Sequence, residues 1–315
     1  LERYIGLAAL QDRNATLFYR LLADHLDEFL PIVYTPTVGR ACQEYSHIIR
    51  RTRGSWITPR DVARIPRVLR QGPFPDVRLI VVTDSERILG LGDQGAGGMA
   101  IPIGKLALYT VAAGIPPAAV LPVSLDVGTD NAALLEDGMY VGWREPRLRG
   151  GEYDEFVQEF VDAVAAVFPK ALLQWEDLRK DIALRVADRY RARLPSFNDD
   201  IQGTGAVALA GVLSSGRLTG SRLAEQRIVV HGAGAAGLGI ARQLKAAMRL
   251  EGLSEAQCLE RVAALDSRGL IVADHEQSDA YKCDLAWPIN FANELGLGAT
   301  AERGLESVVR AFRPT

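Results

Sequence analysis

Arg227-Ile228-Val229-Val230-His231-Gly232-Ala233-Gly234-Ala235-Ala236-Gly237 is the stretch that decides the fold. A β-branched run enters three glycines at G-x-G-x-x-G spacing, and an amphipathic segment, Leu238 to Leu250, follows without a break. Strand, glycine turn and helix in that order put backbone N–H groups and the positive end of a helix dipole where a pyrophosphate binds. The next strand, Val262-Ala263-Ala264-Leu265, ends in Asp266, an acid suited to a ribose hydroxyl. The gap from glycines to acid is wide, and an extra helical stretch from Ser254 to Arg261 accounts for it. Gly232, Gly234, Gly237 and Asp266 are therefore the candidate dinucleotide contacts. A second match to the pattern, Gly90-Leu91-Gly92-Asp93-Gln94-Gly95, runs into Gly97, Gly98 and Pro102, which disfavour a helix starting at once.

Working outward, strands and helices alternate from 77 to 272. Val77 to Thr83 and Val120 to Leu125 read as strands, and Glu152 to Phe168 reads as an amphipathic helix. That alternation means an α/β chain with parallel, doubly wound sheets. Three regions are expected. Residues 1–52 form a helical N-terminal region, with Leu7, Leu10, Leu17, Leu21 and Leu22 at helical spacing. Residues 53–198 form a parallel α/β catalytic domain. Residues 199–315 form a Rossmann-type nucleotide domain. Within the first region, Pro31 to Gly39 reads as a fixed, non-helical segment presenting Tyr34. Residues 51–76, rich in Arg and Pro, read as loop and short helix.

Two acidic clusters stand at element ends. Glu176-Asp177 follows the apolar run Ala171 to Trp175, and Asp199-Asp200 lies in Phe197-Asn198-Asp199-Asp200-Ile201-Gln202-Gly203-Thr204-Gly205. Carboxylates past a strand's C-terminal end face the crevice where open α/β sheets place ligands. Brought together they need a cation, and oxygen ligands suit Mg²⁺ or Mn²⁺. On spacing alone they read more readily as strand-end and helix-cap acids. Lys105 sits in an apolar helix and points to solvent unless it faces the acids. Tyr34 reads as a core tyrosine with a satisfied hydroxyl.

The chain has 315 residues, 48% hydrophobic and 24% charged, with a net charge of −3. Nothing in that balance suggests a nucleic-acid footprint or a polybasic membrane anchor. Cys42, Cys258 and Cys283 form neither a metal pattern nor a disulfide framework, which implies a reducing compartment and a cytoplasmic location. No signal peptide and no apolar run of membrane-spanning length is visible. The first residue is Leu1, and the last residues read as part of an element, so both ends are expected to be incomplete.

Five motifs carry a family resemblance. Tyr34-Thr35-Pro36-Thr37-Val38-Gly39, Glu86 to Asp93, Leu125-Asp126-Val127-Gly128-Thr129-Asp130-Asn131, Trp175-Glu176-Asp177 and Phe197 to Thr204 together resemble malic enzymes, in order and over essentially the whole chain. The resemblance implies oxidative decarboxylation of (S)-malate to pyruvate and CO₂ with NAD or NADP and Mg²⁺ or Mn²⁺. It implies Glu176, Asp177 and Asp200 as metal ligands and Lys105 as general base. It further implies Tyr34 as the acid that protonates the enol, Arg87 on a malate carboxylate, and Asp199 as an acid beside the metal. None of these roles follows from spacing. A homo-oligomer, dimer or tetramer, is also implied.

Asp266 favours NAD, while Arg268 and Lys282 could neutralise a 2′-phosphate, so the cofactor expectation is NAD or NADP with a lean to NAD. Further family contacts to substrate and nicotinamide lie past Thr315, and this polypeptide by itself is expected to be nearly inactive. Two rivals stay open: a malolactic enzyme, which makes lactate, and a non-catalytic nucleotide-binding fragment.

Overall fold

The computed structural model describes residues 1–48, 51–72, 74–273 and 280–315. The chain divides into two compact units, Leu1–Phe197 and Asn198–Thr315. The helices expected over residues 1–52 belong to the first of these.

The first unit is built on a sheet of five strands: β1 (Ser55–Ile57), β2 (Leu79–Thr83), β3 (Val120–Leu125), β4 (Leu172–Glu176) and β5 (Ser196–Asn198), in the order β1-β3-β2-β4-β5. β1, β3, β2 and β4 pair in parallel. Every residue of β2 is buried. A parallel sheet is covered on both faces, which is why its central strand reads Leu-Ile-Val-Val-Thr without alternation. β2 leads to β3 on one side and β4 leads to β5 on the other. The adjacent C-terminal ends of β2 and β4 are therefore the switch point at which open α/β sheets bind ligands. β1 was not evident in the sequence; its three residues sit inside an Arg- and Pro-rich stretch too short to show a period.

Two expectations are corrected here. Pro31 lies inside the helix Leu26–Val33, and a second helix, Thr37–Gln43, begins soon after, so only Tyr34 to Pro36 breaks the helical path. An interior proline costs a helix about 3 kcal/mol. Ile32 and Val33, buried beside Phe18, Leu22 and Ala107, return about 1.5–3 kcal/mol each. Burial therefore decides the conformation. Second, Gly95–Ala113 is, among the described residues, a helical segment long and apolar enough by length and composition to cross a bilayer. In this fold it is a core helix. Its α-helical part, Ala100–Ala113, buries Leu106 with Leu79 and Val81 of β2.

In the second unit β6 (Ile228–His231) pairs in parallel with β7 (Val262–Asp266), and the short β8 (Gly269–Leu270) pairs antiparallel to β7. The helix Ala235–Leu250 makes the crossover. The extra helix expected before β7 is present as Glu255–Arg261, started by a capping box between Ser254 and Gln257. The core centres on Trp287, packed with Ala263, Leu265, Leu270, Val272 and Phe312. Its indole Nε1 donates to the Val262 carbonyl at 2.9 Å. Truncating this side chain removes both the packing and the hydrogen bond. Trp287→Ala should cost the second unit about 3–5 kcal/mol, seen in denaturant titration by circular dichroism as early loss of one transition, with the fluorescence transition of Trp56, Trp143 and Trp175 in the first unit unmoved.

Candidate active site

Lys105 does face an acid. Its Nζ lies 2.8 Å from Glu176 Oε1, and the two side chains are 16% and 4% exposed. The placement follows from two periodicities. Lys105 and Tyr109 are four apart on the helix Ala100–Ala113, and so share a face. Gln174 and Glu176 are two apart on β4, and also share a face. The faces meet residue by residue: the Tyr109 hydroxyl donates to Gln174 Oε1 at 2.7 Å, and Gln174 Nε2 donates to Glu176 Oε2 at 2.7 Å. Glu176 thus has one oxygen on an amide and the other on an ammonium.

Tyr34 completes this group. Lys105 Nζ stands 5.3 Å from the centre of its ring. The approach depends on Gly104, where a Cβ would lie 2.6 Å from the Val33 carbonyl oxygen and 3.0 Å from Tyr34 Cδ2. Tyr34 is half-buried rather than a core residue. Burial, and then the Glu176 charge, push its phenol well above the ordinary tyrosine value, against the pull of Lys105. The hydroxyl is therefore protonated at neutral pH and available as a donor.

Asp177 follows at the end of β4. It is buried and holds φ at +57°, a left-handed conformation that Asp tolerates better than most residues. Its carbonyl accepts from the Arg87 N–H at 2.9 Å, tying the end of β4 to the loop after β2. The Arg87 side chain itself is exposed. At the base of that loop Asp84 is buried and accepts from the Tyr153 hydroxyl at 2.7 Å.

In the second unit Asp199 and Asp200 occupy a single π-helical turn, Asp199–Gly203. They are not its cap: Asn198, fully buried, caps it by accepting from the Ile201 N–H at 3.1 Å. The turn runs into the helix Thr204–Thr219, and it packs on the helix Ala235–Leu250 at Gly239, where a Cβ would come within 1.9 Å of the Ile201 carbonyl oxygen. Asp200 thus belongs to a different unit from Glu176 and Asp177. Within each unit, among the described residues, no three His, Cys, Asp or Glu side chains are grouped as a metal ion would need.

The glycine turn is open where a ligand would approach and closed where the helix must pack. Gly232 and Gly234 are exposed, with no atom within 4 Å of a Cβ at either, whereas a Cβ at Gly237 would lie 1.9 Å from the Gly232 carbonyl oxygen. Gly234 caps the helix Ala235–Leu250 without a side chain. Asp266 ends β7, and its Oδ2 pairs with Lys282 Nζ at 2.6 Å while Oδ1 accepts from the Arg268 N–H at 2.8 Å. Burial pushes this carboxyl up, but Lys282 and the Arg268 N–H outweigh it and hold it below the usual carboxylate range.

Sequence reasoning passed over three residues. Gln174 lies within an apolar run, and its place two before Glu176 puts it on the same strand face. Tyr109 shares its helix face with Lys105 by the same kind of arithmetic. Arg147, in Arg144-Glu145-Pro146-Arg147-Leu148-Arg149, reads as a surface cation, yet its side chain is 1% exposed and forks onto Asp93.

Residues 11–191 match the family described as "Malic enzyme, N-terminal domain", and residues 201–315 match "Malic enzyme, NAD binding domain". All 315 residues align at 49% identity with the NAD-dependent malic enzyme of Pseudomonas aeruginosa, of which they cover 56%. The NAD-dependent malic enzyme of Aeromonas hydrophila is 53% identical over 271 residues, 86% of this chain and 48% of that protein. The chain thus spans about half the length of the curated relatives it matches. Among solved structures, the malic enzyme of Entamoeba histolytica shares the fold at 20% identity and a TM-score of 0.50, covering 99% of this chain and 56% of that one. This chain belongs to the malic enzyme family.

Proposed function

We propose that the protein oxidatively decarboxylates (S)-malate to pyruvate and CO₂ with NAD, and that a divalent cation, Mg²⁺ or Mn²⁺, takes part. The observation that carries this reading is the group at the end of β4: Lys105 Nζ held 2.8 Å from Glu176 and 5.3 Å from the Tyr34 ring centre. The reaction needs one group to take a proton from the C2 hydroxyl and another to give a proton to the enol carbon. A lysine that has first shed its own proton and a protonated phenol side by side would supply both.

Two of the donors would suit a hard cation by type and position. Glu176 and Asp177 are adjacent buried carboxylates, each 7% exposed or less, at the switch-point end of the sheet. Asp200 would supply a third and Asp199 an acid beside it, and oxygen donors of this kind suit Mg²⁺ or Mn²⁺. A bound cation would stabilise the charge that develops on the ketone and carboxylate oxygens as CO₂ departs. NAD would accept the hydride from malate C2, its pyrophosphate on the open turn at Gly232 and Gly234 and its ribose beside Asp266. Asp266, held ionised, suits a 2′-hydroxyl, and by pairing with Lys282 at 2.6 Å it occupies a cation that a 2′-phosphate would use.

Lys105 would remove the hydroxyl proton as the hydride leaves, giving a β-keto acid. Loss of CO₂ leaves an enolate, and Tyr34 would donate a proton to its carbon, giving pyruvate. Arg87 would hold a malate carboxylate from its exposed position on the loop after β2.

Product analysis on the full-length protein with malate, Mn²⁺ and NAD tests the reading: pyruvate and reduced NAD in equal amounts are expected, and lactate without net reduction would overturn it. Lys105→Ala should lower kcat by roughly 10²- to 10⁴-fold, the range for a positioned acid–base group, with the circular dichroism spectrum unchanged; near-normal turnover would remove Lys105 from the mechanism. Asp200→Ala should weaken Mn²⁺ binding in calorimetry by at least roughly 10-fold, in keeping with the loss of one carboxylate ligand, and an unchanged affinity would take Asp200 out of the ligand set.

A further inference from the structure

The loop that bears Arg87 is gripped at both ends by one buried cation. Arg147 donates through Nε to Asp93 Oδ2 at 2.8 Å and through Nη2 to Asp93 Oδ1 at 2.7 Å. The same Nη2 donates to the Asp84 carbonyl at 2.9 Å. Asp84 leaves β2 and Asp93 closes the loop, so a single guanidinium joins its two ends. We propose that Arg147 is a positioning residue for substrate binding: it fixes the Asp84–Asp93 loop and so aims Arg87 at a malate carboxylate. The proposal rests on the reading of Arg87 as the malate-binding residue.

The loop's other restraints explain why the fork matters. Arg87 is held at its backbone by the Asp177 carbonyl, at 2.9 Å, and the loop's tip closes on itself through Ile88 and Gly92 at 3.2 and 2.8 Å. Glu86, next to Arg87, pairs with Arg149 at 2.7 Å, and the Gln94 N–H donates to the Ser85 carbonyl at 3.1 Å; the loop's closing anchor is Asp93. It accepts from the Gly95 and Asp130 N–H groups, both at 2.9 Å, as well as from the guanidinium. Arg147 in turn donates its backbone N–H to Asp130 at 3.0 Å, so loop and anchor share one frame.

The charged groups facing Arg147 include Asp84, Asp93, Glu86 and Asp126. Burial pushes Asp93 up, but the fork from Arg147, together with the Asp130 and Gly95 N–H groups, holds the carboxyl below its usual range. A planar fork can meet both carboxylate oxygens and the Asp84 carbonyl together; a lysine ammonium in the same place holds the charge without that geometry.

The test is steady-state kinetics of the full-length protein carrying Arg147→Lys, beside Arg87→Ala. Arg147→Lys should raise KM for malate by roughly 10- to 100-fold, the usual cost of losing a supporting hydrogen bond behind a functional residue. The melting temperature, kcat and KM for NAD should stay near wild type. Arg147→Ala should show the same malate defect and be partly rescued by added guanidinium. If Arg147→Lys does not fold, Asp93→Asn, which leaves the arginine in place, should give the same selective rise. An unchanged malate KM in Arg147→Lys while Arg87→Ala raises it overturns the proposal alone. So does a defect that falls equally on kcat and both KM values. If Arg87→Ala leaves malate KM unchanged, the reading of Arg87 fails and the proposal falls with it.

Discussion

Lys105 and Glu176 carry opposite charges 2.8 Å apart in a place where neither is more than 16% exposed. Removing one partner of such a pair leaves an uncompensated buried charge, at about 3–5 kcal/mol. Nor is the pair an economical way to stabilise a core, since apolar side chains of similar size often do as well. The first unit nevertheless builds around it. The helix Ala100–Ala113 must lie with its Lys105 face on β4, and β4 must offer Gln174 and Glu176 on the same side. Gln174 is fully buried, and its amide has a partner at each end, Tyr109 and Glu176. The amide therefore cannot rotate without losing two hydrogen bonds, and Glu176 cannot turn away from Lys105 without losing one. Gly104, next to the lysine, removes the Cβ that would keep Tyr34 at a distance. Substituting that glycine would displace the phenol without touching either charge.

Much of this is legible in the sequence, and the reasons differ by residue. β2 and β3 were found because a strand covered on both faces must be apolar throughout. The crossover helix and the extra helix Glu255–Arg261 were found because a dinucleotide turn fixes what must follow it. Lys105 was the opposite case. One lysine in an apolar helix is usually a solvated one, and only the register between helix and strand, which is a tertiary fact, shows otherwise. Arg147 escaped for the same reason: its sequence neighbours are charged and proline-bounded, as surface loops are, and its burial comes from residues more than fifty positions away. Pro31 shows the local rule overridden, because the helix it weakens buries Ile32 and Val33.

The acids of the second unit were read from sequence as caps or ligands, and their backbone shows why the first choice was too simple. A π-helical turn spreads Asp199 to Gly203 over a wider ring than an α-helix would, and Asn198 takes the capping position. Such turns are uncommon and often stand at functional sites. This one is not free to relax. A Cβ at Gly239 would meet the Ile201 carbonyl oxygen at 1.9 Å, and one at Gly205 would meet the Gly239 carbonyl oxygen at 2.8 Å. The carboxylate turn and the helix that follows the dinucleotide glycines thus meet backbone to backbone at Gly205 and Gly239. Backbone contact of this kind admits no rotamer adjustment, so the spacing from Asp200 to the turn at Gly232–Gly237 is set by the fold of the second unit rather than by side-chain choice. A larger residue at 205 or 239 would force the two helices apart and move the carboxylates relative to the nucleotide turn, while every charged group stayed in the sequence.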